Sequence, residues 1–362
     1  MVSIARLHPP STFSEFPTSP VQSMPHIFSR LKEPQQDAVR AVAHLLGYLA
    51  TAILPPRLDR GIINGLSSLL FRLRPHTVAH RAARIAGVLG KDAESREVLD
   101  IGQDYYRLAI ENAWGRFRGT HNRAWQPEIR VDGLDEVRAA LDRGRGVILW
   151  RWSFCSSPVV KIAIWREQIP LIHLSMMIHG ACSDSWIGRR VLNPIYRRTE
   201  DCYLRERVVI PRTGSHAYMK TLIERLKENS VVSIVGDHTG SQNVTTSFFD
   251  GTTEFATGAP SLAWKTGATL LTTYAISESS CSYRVVVDKP IDVDRNLQRK
   301  EFAREAIEEF SRRLQAAIVN HPASWRNWGA FLDSEEPFWR PEPEAEKTSL
   351  ENLPETNQTE AT

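Results

Sequence analysis

The stretch GVILWRWSFCSSP, residues 146–158, has the pattern of a buried strand that runs into a tight turn and then into a helix. The apolar run Gly146–Trp150 predicts the strand, and Pro158–Trp165 continues as a helix. In α/β enzymes such a turn usually presents reactive side chains. This turn offers hydroxyl and thiol groups, including Ser153 and Cys155, but neither a histidine nor a carboxylate.

In the remaining part of residues 129–333, predicted strands alternate with predicted helices. Further strands are predicted at Leu171–Met177, Val231–Val235, Thr269–Ile276 and Tyr283–Asp288, and helices at Leu134–Arg143, Ser215–Asn229, Gly258–Thr266 and Glu301–Val319. Strands buried on both faces read as continuous apolar runs. The sequence therefore predicts an α/β fold with a mostly parallel sheet flanked by helices.

Residues 36–119 read as helical, and we expect them to form an N-terminal helical layer. Ala41–Leu54 and Gly61–Phe71 are apolar, and arginines flank the second segment. Such a stripe is typical of a helix in a membrane interface, and equally of a helical subdomain packed on a core. Neither segment reaches the roughly 20 apolar residues of a membrane span. The arginines are Arg57, Arg60, Arg72 and Arg74.

These patterns predict four regions. They are a flexible lead over 1–35, a helical membrane-facing layer over 36–128, an α/β core over 129–333 and an acidic disordered tail over 334–362. The tail contains eight Glu between 335 and 362 against Arg340 and Lys347, so the remaining chain is more basic than its net charge of +3. A basic body indicates an anionic partner or ordinary solvated surface.

Composition also narrows the class of protein. The four cysteines are scattered without a CxxC pair, which argues against a disulfide framework or a zinc site and favours a reducing compartment. The arginines are spread out and no recognition motif accompanies them, so we expect no nucleic-acid partner.

Ligands of open α/β sheets collect beyond the carboxyl ends of the strands. Three such ends are predicted here, at Arg151–Ser157, at 178–180 and at Asp237–Gly240. Further along the chain, Thr257 is placed to cap a helix that starts near Gly258, and the free N–H groups of that helix start could hold an anion.

The stretch VVSIVGDHTGSQNVTTSFFDGTTEFATGAPSLAWKTGATLLTTYA, residues 231–275, resembles the second half of the bacterial lipid A late acyltransferases, within the lysophospholipid acyltransferase superfamily. LDRGRGVILW (141–150) and AAIVNHPASWRNW (316–328) resemble the strand before the catalytic turn of that family and its C-terminal Pro-x-x-Trp segment.

The resemblance implies transfer of a fatty acyl group from an acyl carrier protein or coenzyme A thioester to a hydroxyl of a membrane lipid or glycolipid. It implies peripheral contact with the cytoplasmic face of the bacterial inner membrane, and no cofactor. Asp237 would organise its turn, and the Gly258 helix start would hold phosphate or a developing oxyanion. Phe248 and Phe249 would pack in the core or line an acyl channel.

The chain departs from the family at the catalytic pair. The family has a His, four residues and then Glu or Asp, in which the His acts as general base and the carboxylate orients it. The corresponding positions here are Ser153 and Pro158, and neither can accept a proton near pH 7. A missing general base costs roughly 10²- to 10⁴-fold in rate, so the usual mechanism cannot be carried over.

Three alternatives follow. In the first, His179 replaces the base, while His238 beside Asp237 is a weaker substitute because some family members also have a His there. In the second, Cys155 or Ser153 carries the acyl group as a nucleophile, since a helix N-terminus lowers the pKa of a thiol. Arg151 could then offset developing negative charge, or form a surface salt bridge.

In the third alternative, the protein is a catalytically silent relative that binds lipid or forms a complex. Loss of both members of the catalytic pair is the pattern expected when selection for chemistry is relaxed.

Overall fold

The computed structural model describes residues 32–92, 95–121, 125–155, 157–176, 185–211, 217–333 and 339–341. The N-terminal part is helical, as predicted. It consists of α1 (Glu33–Ile53), a 3₁₀ turn (Pro56–Leu58), α2 (Asp59–Leu73), α3 (Pro75–Val88) and α4 (Arg96–Gly119). Residues 1–31, most of the predicted flexible lead, lie outside the described residues.

No single helix among the described residues is long and apolar enough to cross a membrane. The segments Pro34–Ile53 and Pro56–Leu73 pass the length and composition test only as a pair, and they are bent by 113°. Pro55 and Pro56 explain the break, because proline lacks the N–H that would continue the α1 ladder.

A seven-stranded, mostly parallel sheet follows and confirms the predicted fold class. Its strands are β1 (Glu128–Asp132), β2 (Val147–Arg151), β3 (Leu171–Met176), β4 (Glu206–Ile210), β5 (Val231–Val235), β8 (Thr269–Ser279) and β9 (Ser282–Pro290); β6 and β7 belong to a second sheet, described below. The helices between and after these strands are α5 (Leu134–Asp142), α6 (Ser157–Arg166), α7 (Asn193–Asp201), α8 (Ala217–Lys227) and α10 (Arg299–Asn320). The strand order is β1-β9-β8-β2-β5-β3-β4, and within it only β8 and β9 pair antiparallel.

A second, three-stranded sheet departs from the prediction. Between β5 and α9 (Gly258–Thr266), the chain forms the hairpin β6 (Asn243–Phe248) and β7 (Gly251–Ala256), and neither strand is among those predicted from the sequence. After α11 (Trp328–Asp333), the strand β10 (Trp339–Pro341) pairs with β7. The rest of the predicted acidic tail, 334–338 and 342–362, lies outside the described residues.

The central strand β2 contributes side chains to two core layers, because successive side chains point to opposite faces of the sheet. Trp150 stacks on Phe310 of α10, with ring centroids 3.9 Å apart. Leu149 instead belongs to the cluster that contains Val159 and Ile162 of α6. The sheet is thus covered on both sides, and the carboxyl end of β2 lies between two buried layers.

Candidate functional site

The site lies where the carboxyl ends of β2 and β5 meet. These parallel strands pair Arg151 with Val235, and the next residue, Gly236, donates its N–H to the Arg151 carbonyl at 2.9 Å. A Cβ at position 236 would lie 1.9 Å from Nε1 of Trp150. Only glycine therefore allows the backbone to pass this close to the tryptophan.

Asp237 is the centre of this junction and is completely buried. Its Oδ2 accepts hydrogen bonds from the Ser153 N–H and from Nε1 of Trp325, each at 2.9 Å. Its Oδ1 accepts one from the Ser153 hydroxyl, also at 2.9 Å. The side-chain amide of Asn327 donates to the Asp237 carbonyl at 2.7 Å. The Asp237 carboxylate therefore joins the turn after β2 to the segment around Trp325.

The segment 324–327 closes over the turn after β2. Arg326 donates its N–H to the Ser153 carbonyl, and Cys155 donates its N–H to the Ser324 carbonyl, each at 2.7 Å. Phe154 and Trp325 form an isolated antiparallel bridge. Our sequence reasoning did not assign Trp325 or Asn327 to the site. Their signal was the Pro-x-x-Trp resemblance at the end of α10.

Ser153 stands at the position where the family has its histidine, and its hydroxyl donates to the carboxylate of Asp237. A carboxylate is too weak a base to ionise a serine hydroxyl, and an activated serine normally needs an adjacent histidine. The hydrogen bond to Asp237 thus fixes the turn. It does not by itself make Ser153 a nucleophile.

Cys155 lies in an environment that opposes a thiolate. Its side chain is buried and its φ is +46°. Burial raises the pKa of the thiol to about 12, against a smaller lowering by a hydrogen bond with Ser324. We had expected a helix N-terminus to lower this pKa, but the cost of desolvating the thiolate is the larger effect.

Arg151 is a buried cation and not the surface salt bridge that we considered. Only 3% of the residue is exposed. Burial lowers the pKa of its guanidinium, and the charges of Glu200 and Asp237 oppose that shift. Its Nε and Nη1 are buried and have no hydrogen-bond partner among the described residues.

The sequence indicates two histidines as candidate bases, His179 and His238, and a third histidine, His173, lies on the strand next to β5. His179, our first candidate for a replacement base, lies outside the described residues. His238 follows Asp237 directly, and burial lowers the pKa of its imidazole while the Asp237 charge opposes the shift. His173 is buried on β3 with Nδ1 3.3 Å from the Ser233 hydroxyl, as expected of a satisfied core histidine.

Phe248 is fully buried and packs edge-on against Phe255 and Phe331. Its neighbour Phe249 has φ +55° and is partly buried against the same core. The contacts of Phe248 are those of a core residue.

Thr257 precedes α9 but does not cap it through its side chain, contrary to our expectation. Its hydroxyl donates to the Gln242 carbonyl at 3.3 Å. Nothing lies within 4 Å of a Cβ built at Gly258, so the start of α9 is open.

Aromatic side chains surround the turn and are buried. Five side chains there are at most 2% exposed: Trp152, Phe154, Trp325, Trp328 and Phe331. A cavity of about 420 Å³ lies elsewhere, between the end of α4 and α7, where Thr120, Arg197 and Asp201 contribute to its lining. Among the described residues, no group of three or more His, Cys, Asp or Glu side chains could hold a metal ion.

The model of the family described as bacterial lipid A biosynthesis acyltransferase matches residues 196–328. The matched range contains Asp237, Phe248 and Trp325, whereas Ser153 and Pro158 precede it. No curated protein matches the chain.

Proposed function

We propose that this chain, of which residues 196–328 match the model of the bacterial lipid A biosynthesis acyltransferase family, transfers a fatty acyl group from a thioester donor to a hydroxyl of a membrane lipid or glycolipid. The donor is an acyl carrier protein or coenzyme A thioester. The observation that carries the proposal is Asp237, which lies in the matched range and fixes the turn at the carboxyl end of β2. Ligands of α/β sheets bind at this edge.

The proposed reaction needs a general base that is neutral near pH 7. Among the described residues, His238 satisfies this condition, since its lowered pKa keeps the imidazole uncharged. His179 is the competing candidate from the sequence. The base would take the proton of the acceptor hydroxyl as the oxygen attacks the thioester carbonyl, and the thiol of the donor would leave.

The proposed acceptor requires access to a lipid surface, and the helical layer supports such contact. One face of α1 exposes Leu46 (62%) and Ile53 (82%), and α2 exposes Leu73 (71%). Basic residues lie on the same segment, among them Arg57 and Arg72. An exposed apolar face beside arginines fits a membrane interface with anionic headgroups. We propose peripheral attachment at the cytoplasmic face of the bacterial inner membrane.

Acyl transfer is tested with purified protein, radiolabelled palmitoyl coenzyme A or palmitoyl carrier protein, and extracted bacterial membrane lipids. His238→Ala and His179→Ala are compared with His80→Ala, an exposed control. We expect one of the first two variants to lose at least about 100-fold in transfer, as a general base contributes. Equal activity in all three would exclude both bases.

A second candidate function is a catalytically silent, lipid-binding relative. Two observations favour it: the aromatic side chains around the turn are buried, and the Ser153 hydroxyl donates to Asp237 and contacts no imidazole among the described residues. If the protein neither transfers the acyl group nor hydrolyses either thioester but still binds lipid, that result would establish this function in place of acyl transfer.

Membrane contact is tested separately by sedimentation with vesicles. Leu46→Glu together with Leu73→Glu should release the protein from phosphatidylglycerol vesicles. Val319→Glu, at a half-exposed apolar residue of α10, is the matched control and should bind as wild type does. Release by the control alone, or by neither variant, would contradict attachment through α1 and α2.

A further inference from the structure

Beneath the carboxyl end of β2 lies a group of buried charges that the proposed chemistry does not use. We call it the Arg151 cluster, and it consists of Arg151, Lys161 of α6, Glu200 of α7 and Arg207 of β4. The exposed fraction of each side chain other than Arg151 is 6% or less, and that of the whole Arg151 residue is 3%.

The acidic members of this neighbourhood already have partners. Glu200 accepts from Lys161 Nζ and, at 3.1 Å, from Nη2 of Arg207. Asp201 accepts from Nε of Arg207 at 2.5 Å, and the Ser175 hydroxyl accepts from Nη1 at 3.0 Å. Lys161 and Arg207 are thus paired within the protein.

Arg151 differs from these cations because its side chain donates no hydrogen bond to the part of the chain that the structure describes. Its Nε and Nη1 are buried without an acceptor. The carboxylate of Asp237, at the end of the neighbouring strand, already accepts from Ser153 and Trp325. Asp237 and Glu200 therefore attract the Arg151 charge without supplying an acceptor for its N–H groups.

A guanidinium remains protonated even when it is buried, and buried N–H donors of a charged group are costly to leave unpaired. The planar fork of arginine matches two oxygens of a carboxylate or phosphate. The N-terminus of α6, which begins at Ser157 just after the turn, adds positive partial charge at this edge of the sheet. Both features favour an anion with several oxygens.

The geometry points to Arg151 as the binding residue for a phosphate ester of a substrate, held at its Nε and Nη1 beside the start of α6. This assignment rests on the proposed function, because it takes the carboxyl end of β2 as the substrate-binding edge. The phosphate could belong to the coenzyme A donor or to a phosphorylated lipid acceptor. The chemistry at Arg151 is the same for both.

The test measures the thermal unfolding midpoint of the full chain at increasing concentrations of three probes. These are inorganic phosphate, coenzyme A and lysophosphatidic acid below its micelle concentration. A ligand that binds only the folded state raises the midpoint in proportion to the logarithm of its concentration. We expect at least one phosphate ester to raise it by several degrees, and the one that does so identifies the source.

Arg151→Met removes the cation and keeps an apolar side chain of similar length. We expect its midpoint without ligand to equal or exceed that of wild type, because an unpaired buried charge has been removed, and we expect no rise with phosphate esters. Arg151→Lys keeps the charge without the fork and should bind at least about tenfold more weakly. Arg198→Gln, an exposed arginine of α7, is the matched control and should respond as wild type does.

Two results would overturn the assignment. One is a large drop in the midpoint of Arg151→Met without ligand, together with an unchanged response to phosphate esters, which would make Arg151 a structural residue. The other is no response of wild type to any probe, which would leave buried water as the partner of Arg151. Acyl transfer that survives either result would leave the proposed function standing. Arg151-dependent binding without transfer would instead favour the silent lipid-binding function.

Discussion

The contrast between Asp237→Asn and Asp237→Ala tests whether this carboxylate fixes the turn through its hydrogen bonds. In the Asn variant, the amide oxygen can replace Oδ2 and keep the donors Ser153 N–H and Trp325 Nε1. The amide nitrogen then faces the Ser153 hydroxyl, which can accept instead of donate. Only the charge assistance is lost, which is worth about 1 kcal/mol.

The Ala variant leaves the Ser153 N–H and Trp325 Nε1 buried without an acceptor. Each orphaned donor costs about 1–3 kcal/mol, so the expected loss in unfolding free energy is about 2–6 kcal/mol. The measurement is urea unfolding followed by circular dichroism, with Asp250→Ala as an exposed control. Equal losses for the Asn and Ala variants would refute this reasoning, since charge and not hydrogen bonding would then dominate.

Two further predictions concern buried positions near the site. Burial lowers the pKa of Lys161 to about 7 from its usual 10.5, so the unfolded chain binds the extra proton and the unfolding free energy should rise with pH from about 7 upward. Lys161→Met should reduce the slope of unfolding free energy against pH by up to about 1.4 kcal/mol per pH unit between pH 7 and 8.5. The exposed control Lys220→Met should leave the slope unchanged, and urea unfolding at several pH values measures both. Gly236→Ala should destabilise by about 3 kcal/mol or more because its Cβ would meet the Trp150 ring, whereas Gly61→Ala on α2 has open space and should be neutral or stabilising in the same assay.

The strands that could be predicted from the sequence are those that are buried on both faces and are therefore apolar along their whole length. Every residue of β2 is buried, and four of the five in β5 are, so both appear as apolar runs. The edge strand β4 and the hairpin strand β6 are only partly buried and carry charged or hydroxyl side chains. Their β-branched residues were the available signal, but no apolar run accompanied them.

Part of the site could not be predicted because its partners are distant in sequence. Asp237 was identified from its place after an apolar strand. Its bond to Trp325 joins residues 88 positions apart. Glu200 lies among charged residues and resembles the solvated face of a helix, yet the orientation of α7 buries it against Lys161. The pKa of Cys155 was misjudged because helix position can be read from a sequence, whereas desolvation depends on packing.

The persistence of Asp237 does not distinguish an enzyme from a silent relative. The turn after β2, the end of β5 and the segment around Trp325 all meet at its carboxylate, so either protein needs it to fold this edge. Arg151 is more informative. The fold gains no hydrogen bond from its buried guanidinium among the described residues, and an apolar side chain would fill the same space at lower cost. Buried groups that cost stability without a compensating contact occur mainly at functional sites. The unpaired cation beside Ser153 therefore favours a protein that still binds an anionic ligand at this edge, whichever residue accepts the proton.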